Sequence, residues 1–130
     1  MYCQITKSIR VSVKTTFLEK QSLPRESYFV WAYEIKTQNL RSAEVQLLNR
    51  KWSITDADGQ TQLVKGPGVV GEQPVIQPGG SFEYTSGTPL KTPSGLMVGV
   101  YEMADSQGIG FDVNVPAFSL DSPHQTVKLN

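Results

Sequence analysis

Residues 65–71, Lys-Gly-Pro-Gly-Val-Val-Gly, carry the one spacing in this chain that matches a chemical motif, G-x-G-x-x-G with a lysine beside it. In dinucleotide-binding folds such glycines let backbone N–H groups approach a pyrophosphate at a helix N-terminus. Here Pro67 removes a donor, and Gln73-Pro74 stands where the helix should begin. What survives is an anion nest built from Gly66, Gly68 and Gly71 with Lys65 nearby, able to hold phosphate, pyrophosphate or a dinucleoside polyphosphate. The competing reading is conformational: an ordered loop that packs Val69 and Val70 against the domain.

The other candidate chemistry is sparse. Asp56-Ala57-Asp58-Gly59 resembles the opening of a calcium loop, but Pro67 stands where the closing glutamate is needed, so the run reads as a hairpin turn. Soft or imidazole metal ligation would rest on Cys3 and His124 alone, and no metal or other cofactor is expected. His124 is also the sole imidazole available to activate a nucleophile. Glu34, Glu44, Glu83 and Glu102 sit in or beside strands and would act as a pair only across a cleft; solvated strand faces account for them. No catalytic residue is therefore assigned, and the chain is not expected to be an enzyme.

The elements that must position these residues follow a period of two. Residues 5–15 read as a first strand through Ile9, Val11 and Val13. Residues 28–36, with Phe29, Trp31, Tyr33 and Ile35 on one face, read as a strand at the centre of a sheet. Val45 and Leu47 point one way while Leu48, Trp52 and Ile54 demand the other, which a one-residue bulge near Leu47 reconciles. Residues 60–64 return from the Asp56 turn, residues 81–85 form a short strand, and residues 96–103 and 109–115 form a hairpin that Pro116 ends. Residues 65–80 and 86–95, rich in glycine and proline, read as irregular loops.

The expected fold is all-β with little helix: seven to eight strands in a two-sheet antiparallel sandwich, fibronectin-type-III-like or immunoglobulin-like, a closed barrel being the alternative. A single domain over residues 1–120 would be followed by a loosely ordered tail, 121–130. Twelve basic and twelve acidic side chains leave no global field for nucleic acid or an anionic membrane. The lone cysteine and the lack of a leader-like or membrane-spanning run make a cytoplasmic protein the expectation.

The runs Phe29-Val30-Trp31-Ala32-Tyr33, Gln46-Leu47-Leu48-Asn49-Arg50-Lys51-Trp52, Gly66 to Pro74, Tyr84-Thr85-Ser86-Gly87, Thr92-Pro93-Ser94-Gly95-Leu96-Met97 and Gly99-Val100-Tyr101-Glu102-Met103 together resemble the ApaG family, in the same order. The resemblance implies a fibronectin-type-III-like sandwich that serves as a module for holding partners, as similar domains look to do in F-box proteins. It carries no established catalytic residues, and it implies a link to cobalt tolerance and magnesium efflux. The expected partner is another protein, met at the two loops through Val69, Val70, Pro89 and Pro93, with Tyr28, Tyr84 and Tyr101 as aromatic company for those prolines. An unpaired edge strand would leave a weak homodimer open.

Overall fold

Alternating burial along the chain resolves into nine strands in a computed structural model that describes residues 1–124. They are β1 (Tyr2–Thr6), β2 (Ile9–Phe17), β3 (Phe29–Asn39), β4 (Val45–Asp56), β5 (Thr61–Pro67), β6 (Val75–Ile76), β7 (Ser81–Leu90), β8 (Gly95–Asp105) and β9 (Gly110–Leu120). One antiparallel sheet runs β1-β2-β3-β7 and the other β5-β4-β8-β9, with β6 added to β4 beyond the end of β5. The inner faces of the two sheets form one core, so the architecture is an all-β sandwich.

Trp31 and Trp52 are both buried in that core. The Trp52 ring meets Tyr33 at 5.7 Å and Phe118 at 6.0 Å between centroids, edge to face. Gly99 lies beneath Trp52, since a Cβ there would stand 2.5 Å from the indole. β3 occupies the interior of its sheet, between β2 and β7.

The bulge expected in β4 is present: pairing with β8 shifts between Leu47 and Asn49. Residues 56–59 form the expected turn, with Gly59 at φ 82° and the Asp56 carboxylate accepting from the amides of Asp58 and Gln60 at 2.9 and 3.0 Å.

Four boundaries differ from the expectation. Residues 5–15 are not one strand, because Lys7 and Ser8 turn the chain with φ of 48° and 62°, making the β1–β2 hairpin without a glycine. β5 continues to Pro67 and so takes Lys65 and Gly66 out of the loop. Residues 86–90 belong to β7, where Pro89 is tolerated because one edge of that strand has no neighbour among the described residues. Pairing also persists past Pro116, which sits in a second bulge where β9 shifts against β8 between Met97 and Gly99.

The two margins of the sandwich differ. At one, β9 runs beside β1, bridged by Tyr2 Oη to Ser119 Oγ at 2.8 Å and by Asn114 N–H donating to Thr6 Oγ1 at 3.3 Å. At the other, β5 and β7 end their respective sheets.

Residues 121–124 are tied down: the Trp31 indole N–H donates to the Asp121 carbonyl at 2.7 Å, and the His124 ring packs against Phe17 and Phe29. The remainder of the tail expected at 121–130 lies outside the described residues.

Candidate functional site

The bulge in β4 leaves backbone groups around Leu47 and Leu48 turned away from β8, and the glycine-rich loop supplies their partners. Leu48 O accepts from Gly68 N–H at 2.7 Å and from the Gln73 side chain at 2.8 Å, while Leu47 N–H donates to Pro74 O at 3.0 Å. Within the loop, Val69 and Glu72 exchange two backbone bonds of 2.8 and 2.9 Å. They close a two-residue hairpin whose tip, Val70 and Gly71, has φ of 44° and 81°, the pattern of a primed turn.

Each glycine of the motif has a conformational cause. Gly66 lies under the Arg50 guanidinium, which a Cβ would meet at 3.0 Å. Gly68, at φ 59°, has no room for a side chain, because a Cβ would fall 2.0 Å from the Glu72 carbonyl oxygen. Gly71 takes the second left-handed position of the turn.

Arg50 faces inward with Trp52 and Ile54, two and four residues along the same strand. Its Nη1 donates to Pro67 O at 3.0 Å and Gly68 O at 2.9 Å, so one cation fixes the exit of β5. Across the gap between sheets, the Tyr84 and Tyr101 hydroxyls are 2.7 Å apart. Burial pushes both phenols well above the ordinary tyrosine value; at Tyr84 the Tyr101 bond opposes that rise, and Arg50 opposes it weakly at both.

The sign of the linkage follows. Phenols whose folded-state pKa is raised stabilise the fold fully below about pH 10, the unfolded value, and that contribution is lost as pH rises further. The urea midpoint is therefore expected to fall between about pH 8 and pH 11, and to fall less in a Tyr84→Phe/Tyr101→Phe variant. An equal fall in both proteins would remove this role from the pair.

The sequence-predicted site residues separate. Lys65 points to the outer face of its sheet opposite Lys51, away from the hairpin tip, and the amides of Gly68, Val69 and Glu72 are spent on internal bonds. The nest expected from Lys65, Gly66, Gly68 and Gly71 is thus not assembled as drawn from the motif. Val69 is wholly buried, 0 % exposed, and is a core residue rather than a partner contact; Val70 is 56 % exposed at the tip.

Pro89 is exposed on β7, whereas Pro93 is half-buried in the β7–β8 turn, its carbonyl accepting from Ser122. That turn bonds Ala57 through Thr92, beyond the far end of β4, roughly 25 Å of strand from Leu48. The two regions therefore do not make one surface. Tyr28 does accompany Pro89, while Tyr84 and Tyr101 turn inward.

Of the strand carboxylates, Glu34 and Glu83 share one outer face, and Glu44 and Glu102 lie elsewhere. Glu102 pairs with Lys51 at 3.5 Å and Glu44 accepts from Gln77, while Glu34 and Glu83 line an open depression of about 760 Å³ on the outer face of the β1-β2-β3-β7 sheet, Glu83 pairing with Lys36 at 3.7 Å. His124 Nε2 lies 3.1 Å from a Glu19 oxygen. Among the described residues no three His, Cys, Asp or Glu side chains converge to hold a metal, and no helix is long and apolar enough to cross a membrane.

Two residues central to this arrangement were not singled out by the sequence. Arg50 shares the parity of Trp52 and Ile54, which already implies an inward side chain. Asn39, at the end of β3, is buried. Its amide donates to Ala43 O and Ile76 O at 2.8 and 2.9 Å and its carbonyl accepts from Arg41 N–H at 2.9 Å.

Comparison with known proteins adds a family to this geometry. Residues 19–105 match the family model described as the ApaG domain. The chain is 60 % identical over 130 residues to Protein ApaG of Paramagnetospirillum magneticum and 58 % identical over 130 residues to Protein ApaG of Rhodospirillum centenum, covering all of each. A crystal structure from Bordetella pertussis, of a protein named ApaA, superposes with a TM-score of 0.87 at 42 % identity, over 90 % of this chain and 95 % of that one.

Proposed function

Because the chain belongs to the ApaG domain family, whose members' names specify no reaction, we propose that it is a non-catalytic module that holds another protein at the tip of the 69–72 hairpin. The observation that carries this reading is Val70. A β-branched residue in the left-handed region costs on the order of 1–2 kcal/mol, and Val70 spends it at an exposed position where its side chain is left largely in solvent. Asparagine or glycine would relieve that cost, so an exposed valine is best explained by a contact outside the chain.

The hairpin suits the task because it is held on both flanks, by Arg50 through Pro67 and Gly68 and by Leu48 through Gln73. A tip ordered in advance loses little entropy on docking. The family's association with cobalt and magnesium would then be indirect, through the protein held.

Val70→Asn separates the two roles of the side chain. It places Asn before Gly71, the favoured pair for this turn, and is expected to stabilise the fold by about 1 kcal/mol, raising Tm by about 4 °C. Partner capture by in-cell cross-linking should fall sharply at the same time. Undiminished capture by the stabilised variant would reject the tip as the contact.

A further inference from the structure

We propose that the open margin of the sandwich, between the free edges of β5 and β7, is a docking groove for an extended acidic segment of a partner protein. One carboxylate of that segment pairs with Arg50, and an apolar side chain four residues away fills the depression over Ile54. The proposal rests on the reading of the chain as an interaction module, but its contact is separate from Val70.

The backbone component comes from topology. Among the described residues β5 and β7 each pair on one side only, with β4 and with β3, so two rows of strand N–H and C=O groups border the same interval. Pro67 and Pro89 blunt opposite ends of those edges, leaving residues 61–66 and 81–88 able to bond an added strand.

The charge component is Arg50. It is half-buried over Gly66 of β5 and beside Tyr101, whose hydroxyl meets Tyr84 of β7, and among the described residues no carboxylate pairs with it. Only Nη1 is engaged there, by two carbonyls, so Nε and Nη2 remain as donors for an incoming oxyanion. A half-buried cation with neutral partners is the natural complement of a carboxylate.

The apolar component lies farther along the same margin. A depression of about 380 Å³ has Ile54, Leu90, Pro89 and Tyr28 in its walls, with Gln62 of β5 and Lys91, which has no ion pair among the described residues, at its rim. Asp56 also borders it, but one of its carboxylate oxygens is occupied by the amides of Asp58 and Gln60. Arg50 and Ile54 are four residues apart on one face of β4, about 13 Å, which a strand covers with side chains of matching parity. The recognition pattern is therefore an acidic residue and an apolar residue at i and i+4 of an extended peptide, in either order.

Phage-displayed random dodecapeptides panned on the intact protein test this. Enriched sequences are expected to share an Asp or Glu four positions from a large apolar residue. Changing that acid to its amide in a synthetic peptide should weaken binding at least about tenfold, with no demand on the folding of the protein. Arg50→Gln should produce a similar loss, with retained Tm and Leu47 amide protection as the check on its loop contacts, whereas Val70→Asn should leave peptide binding unchanged.

Enriched peptides without the acid, or an amide peptide that binds equally well, would overturn the proposal while leaving the Val70 contact standing. No enrichment at all would overturn it too. So would a dimer in sedimentation velocity that Arg50→Gln dissolves, since the groove would then belong to a second copy.

Discussion

Gly68→Ala is expected to lower stability by about 3 kcal/mol and Tm by about 12 °C. Two effects add. Alanine at φ 59° is strained in its own backbone, and its Cβ would overlap the Glu72 carbonyl oxygen, 2.0 Å away. The chain can escape the clash only by opening the 69–72 hairpin, and opening it withdraws Val69 from the core. Both routes are costly.

Hydrogen exchange distinguishes those routes, because the Leu47 amide is protected only while it donates to Pro74. Gly71→Ala provides the contrast: its φ is 81°, but nothing lies within 4 Å of the new Cβ, so only the backbone term of about 1 kcal/mol applies. Equal losses for the two variants, measured by urea denaturation, would show that Glu72 is not the obstacle and that the loop is held otherwise.

Asn39→Asp is expected to cost about 4 kcal/mol at neutral pH although no atom changes size. The amide that now donates to Ala43 O and Ile76 O becomes an oxygen facing two oxygens, at a position 0 % exposed. These bonds join the end of β3 to the β3–β4 turn and to β6, so their loss should also loosen the return of the glycine-rich loop.

The effect has a pH signature. Burial without a cation raises the folded-state pKa of the new carboxyl above its unfolded value, so the penalty is full at neutral pH and shrinks as pH falls and the group protonates. The variant's deficit relative to the parent should therefore narrow in acid. A deficit independent of pH would mean that the site relaxes enough to hydrate the charge.

How much of this was legible in the sequence depends on whether the deciding contact is local. The β4 bulge could be read because Leu47 and Leu48 cannot both face inward on a regular strand. The Asp56 turn could be read because its own side chain bonds its own backbone. The β1–β2 turn could not, since Lys7 and Ser8 adopt left-handed conformations with none of the usual residues to announce them.

The full length of β7 is hidden for a related reason: Gly87 and Pro89 break a strand only where both of its edges are needed, and edge position is a property of topology. Val69 and Val70 are chemically identical neighbours, and only the hairpin, closed against a bulge some twenty residues earlier, sends one inward and the other out. Arg50 lay within reach of parity, but its meaning depends on Gly66, Tyr101 and the lack of a carboxylate partner among the described residues, which no local pattern contains.

The bridge from Tyr2 to Ser119 spans 117 positions, so the first and last strands complete each other. During synthesis at about 5–20 residues per second, β1 must wait several seconds before β9 leaves the ribosome. Through that delay the nascent chain exposes strand edges that the finished molecule covers, and closure of so non-local a topology belongs to the millisecond-to-second regime. An outer edge of β1 left open this long, although β1 already pairs with β2, invites chaperone attention on the ribosome.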